Sequence, residues 1–193
     1  EKRGLTERLR EAGLTAGSAI SSADEMRVGL IGQVRRVWAP RGMKIVQEKE
    51  FVYEWDYLNL AVDGRAGTLY WAWTDDMKAP SIAPVVRRWG TEGLDAVVWD
   101  GAPGHRGPAF DFVEIARIRQ PSYSPELNPA ERVFEELRAR IEGVVYGSLD
   151  AKKAAVEAEL RNLVDDPERV NRLTGWDWIR SSIECLSETE VYS

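Results

Sequence analysis

Residues 94–100 read LDAVVWD, a continuous apolar run closed by an aspartate. A strand covered on both faces reads this way, without polar alternation. The run predicts a buried central strand with the carboxylate of Asp100 at its C-terminal tip. Downstream, GAPGHRGP (101–108) is too rich in glycine and proline for anything but a loop, and FVEIARI (112–118) predicts a further strand after a short helical piece at most. Upstream, APSIAPVVRRWG (79–90) suits a helix ending at Gly90. Before it, GTLYWAWT (67–74) is a strand entered through the turn signal DGRAG, and KIVQEKEFVYEWDYLNLAVD (44–63) reads as extended structure. GSAISSADEMRVGLIG (17–32) predicts a strand through Asp24 to about Ile31. The order strand, strand, strand, helix, strand, strand implies an α/β fold with a mixed sheet flanked by helices.

The stretch PSYSPELNPAERVFEELR (121–138) is unusual. Prolines 121, 125 and 129 stiffen a loop, and a helix follows with Glu131 in its first turn. Asn128 is a good N-cap and Pro129 suits the first helical position. Val133, Phe134, Leu137 and Ile141 form one apolar face. Ser148 starts a further helix, and 169–186 supplies one or two more. At the other end, Leu5, Leu9 and Ala12 predict a short helix. The expected organisation is residues 1–18 as an N-terminal helix or linker, 19–147 as the core, and 148–193 as a helical extension of the same domain.

Three acids sit at element ends: Asp24, Asp100 and Glu131. If they converge in one cleft they repel one another and call for cations. Oxygen ligands alone favour Mg²⁺ or Mn²⁺, and two such ions roughly 4 Å apart can clamp a phosphodiester. A stiffened loop suits a ligand that must be placed within a fraction of an ångström. Plainer readings stand beside this one. Glu131 could complete a helix cap, Asp100-Gly101 could be a strand-ending turn, and Asp24 could be a surface acid.

Composition bounds the rest. The 193 residues suffice for one domain with a core; 44% are hydrophobic and 30% charged, as in an ordinary globular protein. No apolar run approaches about 18 residues and no leader is visible, so no membrane association is expected. The single cysteine, Cys185, fits a reducing compartment and reads as a bystander. The net charge of −6 argues against non-specific nucleic-acid binding, but Met26–Gln47 holds Arg27, Arg35, Arg36, Arg41 and Lys44 with no acid. The plain reading of that segment is a solvated basic face. Trp71, Trp73 and Trp99 are expected in the core, and core packing is the favoured expectation for Trp38 as well.

VVWDGAPGHRG (97–107) followed by PSYSPELNPAERVFEEL (121–137) resembles the second and third catalytic blocks of DDE transposases of the Tc/mariner superfamily, bacterial insertion-sequence branch. SADEMRVGL (22–30) and VWAPRG (37–42) are similar to the first block and the element after it. The resemblance covers about Ala19 to Glu142. It implies a ribonuclease-H-like fold with a five-stranded mixed sheet, and a catalytic, metal-binding triad of Asp24, Asp100 and Glu131. It also implies two Mg²⁺ or Mn²⁺ ions, DNA as partner and substrate, and cleavage at transposon ends followed by strand transfer. A homodimer is compatible with it, and a bacterial cytoplasmic, nucleoid-associated location follows. His105 matches the family histidine five residues after the second Asp, and with Asn128 it is an auxiliary candidate near the site. Arg27, Arg35, Arg36, Arg41, Lys44, Arg132 and Arg138 become DNA-contact candidates; the plain alternative for Arg138 is an ion pair with Glu135. The chain departs from the pattern in three ways. Gly101 stands where the family has Asn, the 31 positions from Asp100 to Glu131 are a few short, and the N-terminal helix-turn-helix region is not represented, so recognition of transposon ends is expected outside this chain. An inactive DNA-binding or interaction module and a simple ribonuclease-H-like nuclease are the alternative functions.

Overall fold

The structure, a computed structural model, describes residues 4–32, 38–46, 48–120 and 128–186. Five strands form one mixed sheet: β1 (Ile20–Gly29), β2 (Trp55–Asp63), β3 (Thr68–Thr74), β4 (Ala96–Trp99) and β5 (Ala116–Arg119), in spatial order β3-β2-β1-β4-β5. β2 runs antiparallel to β1 and β3, whereas β4 is parallel to β1 and β5. The antiparallel turn between β2 and β3 is closed by Asp63, whose Oδ1 accepts from the amides of Arg65 and Ala66. The parallel pair β1–β4 needs a crossover, and α2 (Ala79–Thr91) lies on that path.

Alternation along β1 sorts the two faces. Met26 and Val28 turn to the side where α3 (Ala130–Ile141), α4 (Leu149–Val164) and α5 (Pro167–Thr174) pack, joining Val133, Phe134, Leu137, Val156, Leu160 and Val170 in one core. Ala23 turns to the opposite face, where Val86, Trp89, Val97, Trp99 and Phe110 are buried beneath α2. A third cluster sits at the β4–β5 end. There α1 (Leu5–Glu11) and α6 (Asp177–Glu184) bring Leu9 and Ile183 against Ile20, Val98 and Ile118.

The expected succession of strands and helices is observed, with three differences. Among the described residues of 44–63, Trp55–Asp63 is strand. The β1–β2 ladder stops at Gly29 opposite Trp55, and past it Leu30 N–H bonds to Glu54 O and Gly32 N–H to Glu50 O. Trp38 is fully exposed rather than packed, with Phe51 and Tyr53 exposed in the same connection. Helix α3 begins at Ala130 with Pro129 as its flanking residue, one position later than expected. Asn128 still caps it, because Asn128 Oδ1 accepts from the Ala130 amide at 3.1 Å. Trp99 is buried as expected, and Trp71 and Trp73 are partly buried against the α3 core. Residues Arg35 and Arg36 and the proline-rich 121–127 lie outside the described residues.

Candidate active site

Asp24 lies in mid-β1, two residues before Met26, so its side chain turns to the face that carries α3. There Asn128, at the foot of α3, donates through Nδ2 to Asp24 Oδ2 at 2.9 Å and to the Ala23 carbonyl at 3.1 Å. The Glu25 amide donates to Asp24 Oδ1 at 2.9 Å. Asn128 thus joins the start of α3 to the middle of β1, bringing the first turn of α3, and Glu131 with it, toward Asp24.

The Asp24 carboxyl is pushed up to about 7. Burial is the main cause; the backbone bond from Glu25 opposes it, and the charges of Glu25, Glu131 and Asp100 add to it. The three acids picked out of the sequence therefore share one electrostatic neighbourhood. Asp100 follows the last residue of β4, adjacent to β1 in the sheet, and its Oδ1 accepts from the Ala102 amide at 2.9 Å. That bond is the strand-ending turn that the Asp-Gly pair suggested.

His105 stands in the 3₁₀ turn Pro103–His105 within the glycine-rich loop. Its ring stacks on Trp99, with centroids 4.1 Å apart and planes 6° from parallel. Nδ1 is 2.8 Å from Asp100 Oδ1, and Nε2 is 3.0 Å from both Glu25 carboxylate oxygens. Burial alone would lower the pKa of this ring, but the Glu25 and Asp100 contacts outweigh it and hold it above the ordinary imidazole value. A doubly protonated ring donates to both carboxylates. Glu25 was not singled out in the sequence. It is next to Asp24 but faces the other side of the sheet, so adjacency says nothing of its role; its contact with His105 spans 80 residues.

Glu131 Oε2 lies 3.6 Å from Arg138 Nη1, two turns along α3. The alternative Arg138–Glu135 pair is not the one formed: Glu135 pairs with Arg132 at 2.8 Å, while Arg138 also lies over the Phe134 ring. Arg27 is exposed with its guanidinium over Trp55 at 5.2 Å, and Arg41 and Lys44 are exposed in the β1–β2 connection. A Cβ on residue 101 would overlap the Arg119 guanidinium, so an arginine occupies the space that the missing Asn side chain would need.

Among the described residues no group of three or more His, Cys, Asp or Glu side chains is gathered closely enough to hold a metal ion. Asp100 and Glu131 face the protein's own cations, His105 and Arg138. The donor set nonetheless fits a hard divalent cation. It offers only carboxylate oxygens, one of them buried among three negative neighbours, and the Asp100 and Glu131 side chains are 63% and 39% exposed and able to turn.

The sheet order and the flanking helices define a ribonuclease-H-like fold. Solved structures similar to it include Mos1 transposase complexes. A pre-cleavage Mos1 transpososome aligns at TM-score 0.65 and 13% identity over 94% of this chain and 59% of that one. The Mos1 strand transfer complex aligns at 0.65 and 14%, over 95% and 59%. The Mos1 mariner paired-end complex with Mn aligns at 0.64 and 16%, over 95% and 58%. The chain thus spans less than two thirds of the Mos1 chains it matches. No protein-family model matches the sequence, and no curated protein matches it either. No helix among the described residues is long and apolar enough to cross a membrane.

Proposed function

We propose that the chain is the catalytic core of a DDE transposase of the bacterial insertion-sequence branch of the Tc/mariner superfamily, cutting DNA at transposon ends and transferring the freed strand to target DNA. The observation that carries this reading is that Asp100 and Glu131, far from Asp24 in the chain, both lie near enough for their charges to add to the rise of the Asp24 carboxyl to about 7, a rise caused mainly by burial. The fold shared with Mos1 transposase complexes, one of them with Mn, supports it.

In this reading Asp24, Asp100 and Glu131 would hold two Mg²⁺ or Mn²⁺ ions, which would supply Lewis-acid chemistry for an in-line displacement at phosphorus. The protein's part is placement. Asn128 holds the Asp24 carboxyl through its Nδ2 bond to Oδ2. Ala102 N–H and His105 fix Asp100 from two directions. The packed face of α3 positions Glu131, and Arg138 beside it is a candidate contact for a DNA phosphate. In this reading residues 19–147 are the core and 148–193 a helical extension of the same domain, which the packing of Val156, Leu160 and Val170 into the core under α3 supports.

A second reading, an inactive DNA-binding or interaction module on the same fold, is favoured by the pairing of Asp100 and Glu131 with protein cations. Nicking of supercoiled plasmid and of end-bearing duplexes by the 193-residue chain with Mn²⁺ separates the two. Cleavage that disappears in Asp100→Ala is expected. Protein that neither binds millimolar Mn²⁺ nor nicks DNA belongs to the second reading. Nicks without joined products would instead make the chain a nuclease.

A further inference from the structure

Beside Asp100, on the flank away from β1, lies an open pocket of about 410 Å³ bordered by Trp99, Gly101, His105, Arg106, Arg117 and Arg119. Three arginines line it in a chain whose net charge is −6, so this is a local reversal of the average. Its construction is specific. Arg117 and Arg119 are two apart on β5 and share one exposed face, and β5 is the outer strand of the sheet. Arg117 lies 5.0 Å over the Phe110 ring, which limits its wandering. Arg119 lies against the bare Cα of Gly101, so the glycine makes room for a cation next to the residue that follows Asp100. Arg8, on α1, donates to the Arg119 carbonyl and ties down the end of β5.

Guanidinium forks match phosphate oxygens in a way carboxamides and aromatics do not. We infer that Arg106, Arg117 and Arg119 form a phosphate-binding subsite that holds the DNA strand immediately beside Asp100. The inference rests on the transposase-core reading and adds a path to it. The strand leaves the three acids over the β4–β5 edge, on the side opposite the basic run of the β1–β2 connection. Gly101, a departure from the family pattern, is then a part of this subsite: it admits Arg119 where an asparagine would stand.

The test is binding of a fluorescent DNA duplex to the 193-residue chain by anisotropy at several salt concentrations, with Ca²⁺ to prevent cleavage. The variants are the triple R106Q/R117Q/R119Q and the triple Lys exchange at the same positions. Each phosphate contact contributes about 0.9 to the slope of log affinity against log salt. The Gln triple is expected to lower that slope by about 2 to 3 and to weaken binding on the order of tenfold or more at low salt. The Lys triple should keep most of the slope, because the charge is retained. A folded Gln triple that binds with wild-type affinity and slope overturns the inference and leaves the parent reading standing, provided wild type still nicks DNA and Asp100→Ala does not. Wild-type protein that binds no DNA overturns both. If the triple fails to fold, the three single Gln variants are read instead, each expected to lower the slope by about 1 and each overturning the inference if it does not.

Discussion

Asp24 carries a conflict between folding and chemistry. Its carboxyl is held near 7 in the folded chain against 3.8 as an unperturbed group. A raised carboxyl favours the fold while it is protonated. That contribution is complete below about pH 4 and is lost as pH rises through 7. Asp24→Asn is therefore expected to leave the melting temperature unchanged at pH 4 and to raise it by roughly 3–8 °C at pH 8. The same exchange should abolish Mn²⁺-dependent nicking. Scanning calorimetry at the two pH values checks the first half, and a variant no more stable than wild type at pH 8 would contradict it. His105 works in the same direction: its pKa is raised, so its stabilising contacts are present below the ordinary imidazole value and fade as pH passes the raised one. His105→Ala strands Glu25, whose side chain is 9% exposed, without its partner. A loss of about 1–3 kcal/mol in urea unfolding at pH 6 is expected, shrinking at pH 9.

At the scale of the element, α3 is the part that aims the site. Its apolar face was readable from spacing, and Val133, Phe134, Leu137 and Ile141 are all buried as that spacing required. Phe134→Ala should cost about 3–5 kcal/mol and loosen Glu131 with it. Chemical denaturation measures the first effect, and weaker Mn²⁺ affinity in the still-folded fraction measures the second. The cap of this helix was less legible. Asn128 was readable as a capping residue from its place before Pro129, and its Oδ1 does cap. Its Nδ2 reaches across to β1, and nothing local announces that bond. Asn128→Ala should hence lower Mn²⁺ affinity as well as stability, whereas Asn128→Asp, which keeps the cap but adds a charge beside Asp24, should lower Mn²⁺-free stability further. The 44–54 segment shows the opposite failure. Its β-branched and aromatic residues suit a strand, yet a strand needs a partner, and β1 stops pairing at Gly29.

For the molecule as a whole, the proposed reading has Asp24, Asp100 and Glu131 binding the same cations, which should then stabilise the fold by mass action. At 100 times the dissociation constant, Mn²⁺ is expected to add about 2.7 kcal/mol and raise the melting temperature of wild type. Asp24→Asn and Asp100→Ala should show little of that rise. A thermal-shift titration decides it: equal Mn²⁺ shifts in wild type and both variants would mean the ions bind elsewhere.

What the sequence by itself determined is the succession of strands and helices, the buried nature of β4, the apolar face of α3 and the placing of Asp100 and Glu131 at element ends; Asp24, expected at an end, lies mid-β1. These are local properties, set by side-chain periodicity and by glycine and proline, and each is legible within a window of some ten residues. Only the tertiary structure decided that Glu25 joins Asp100 through His105, that Arg138 pairs with Glu131, and that Arg119 lies over Gly101. The physical reason is that β1, β4 and β5 are neighbours through parallel crossovers. Which side chains meet across them depends on register and on the packing of residues far apart in the chain, and local periodicity carries no record of either.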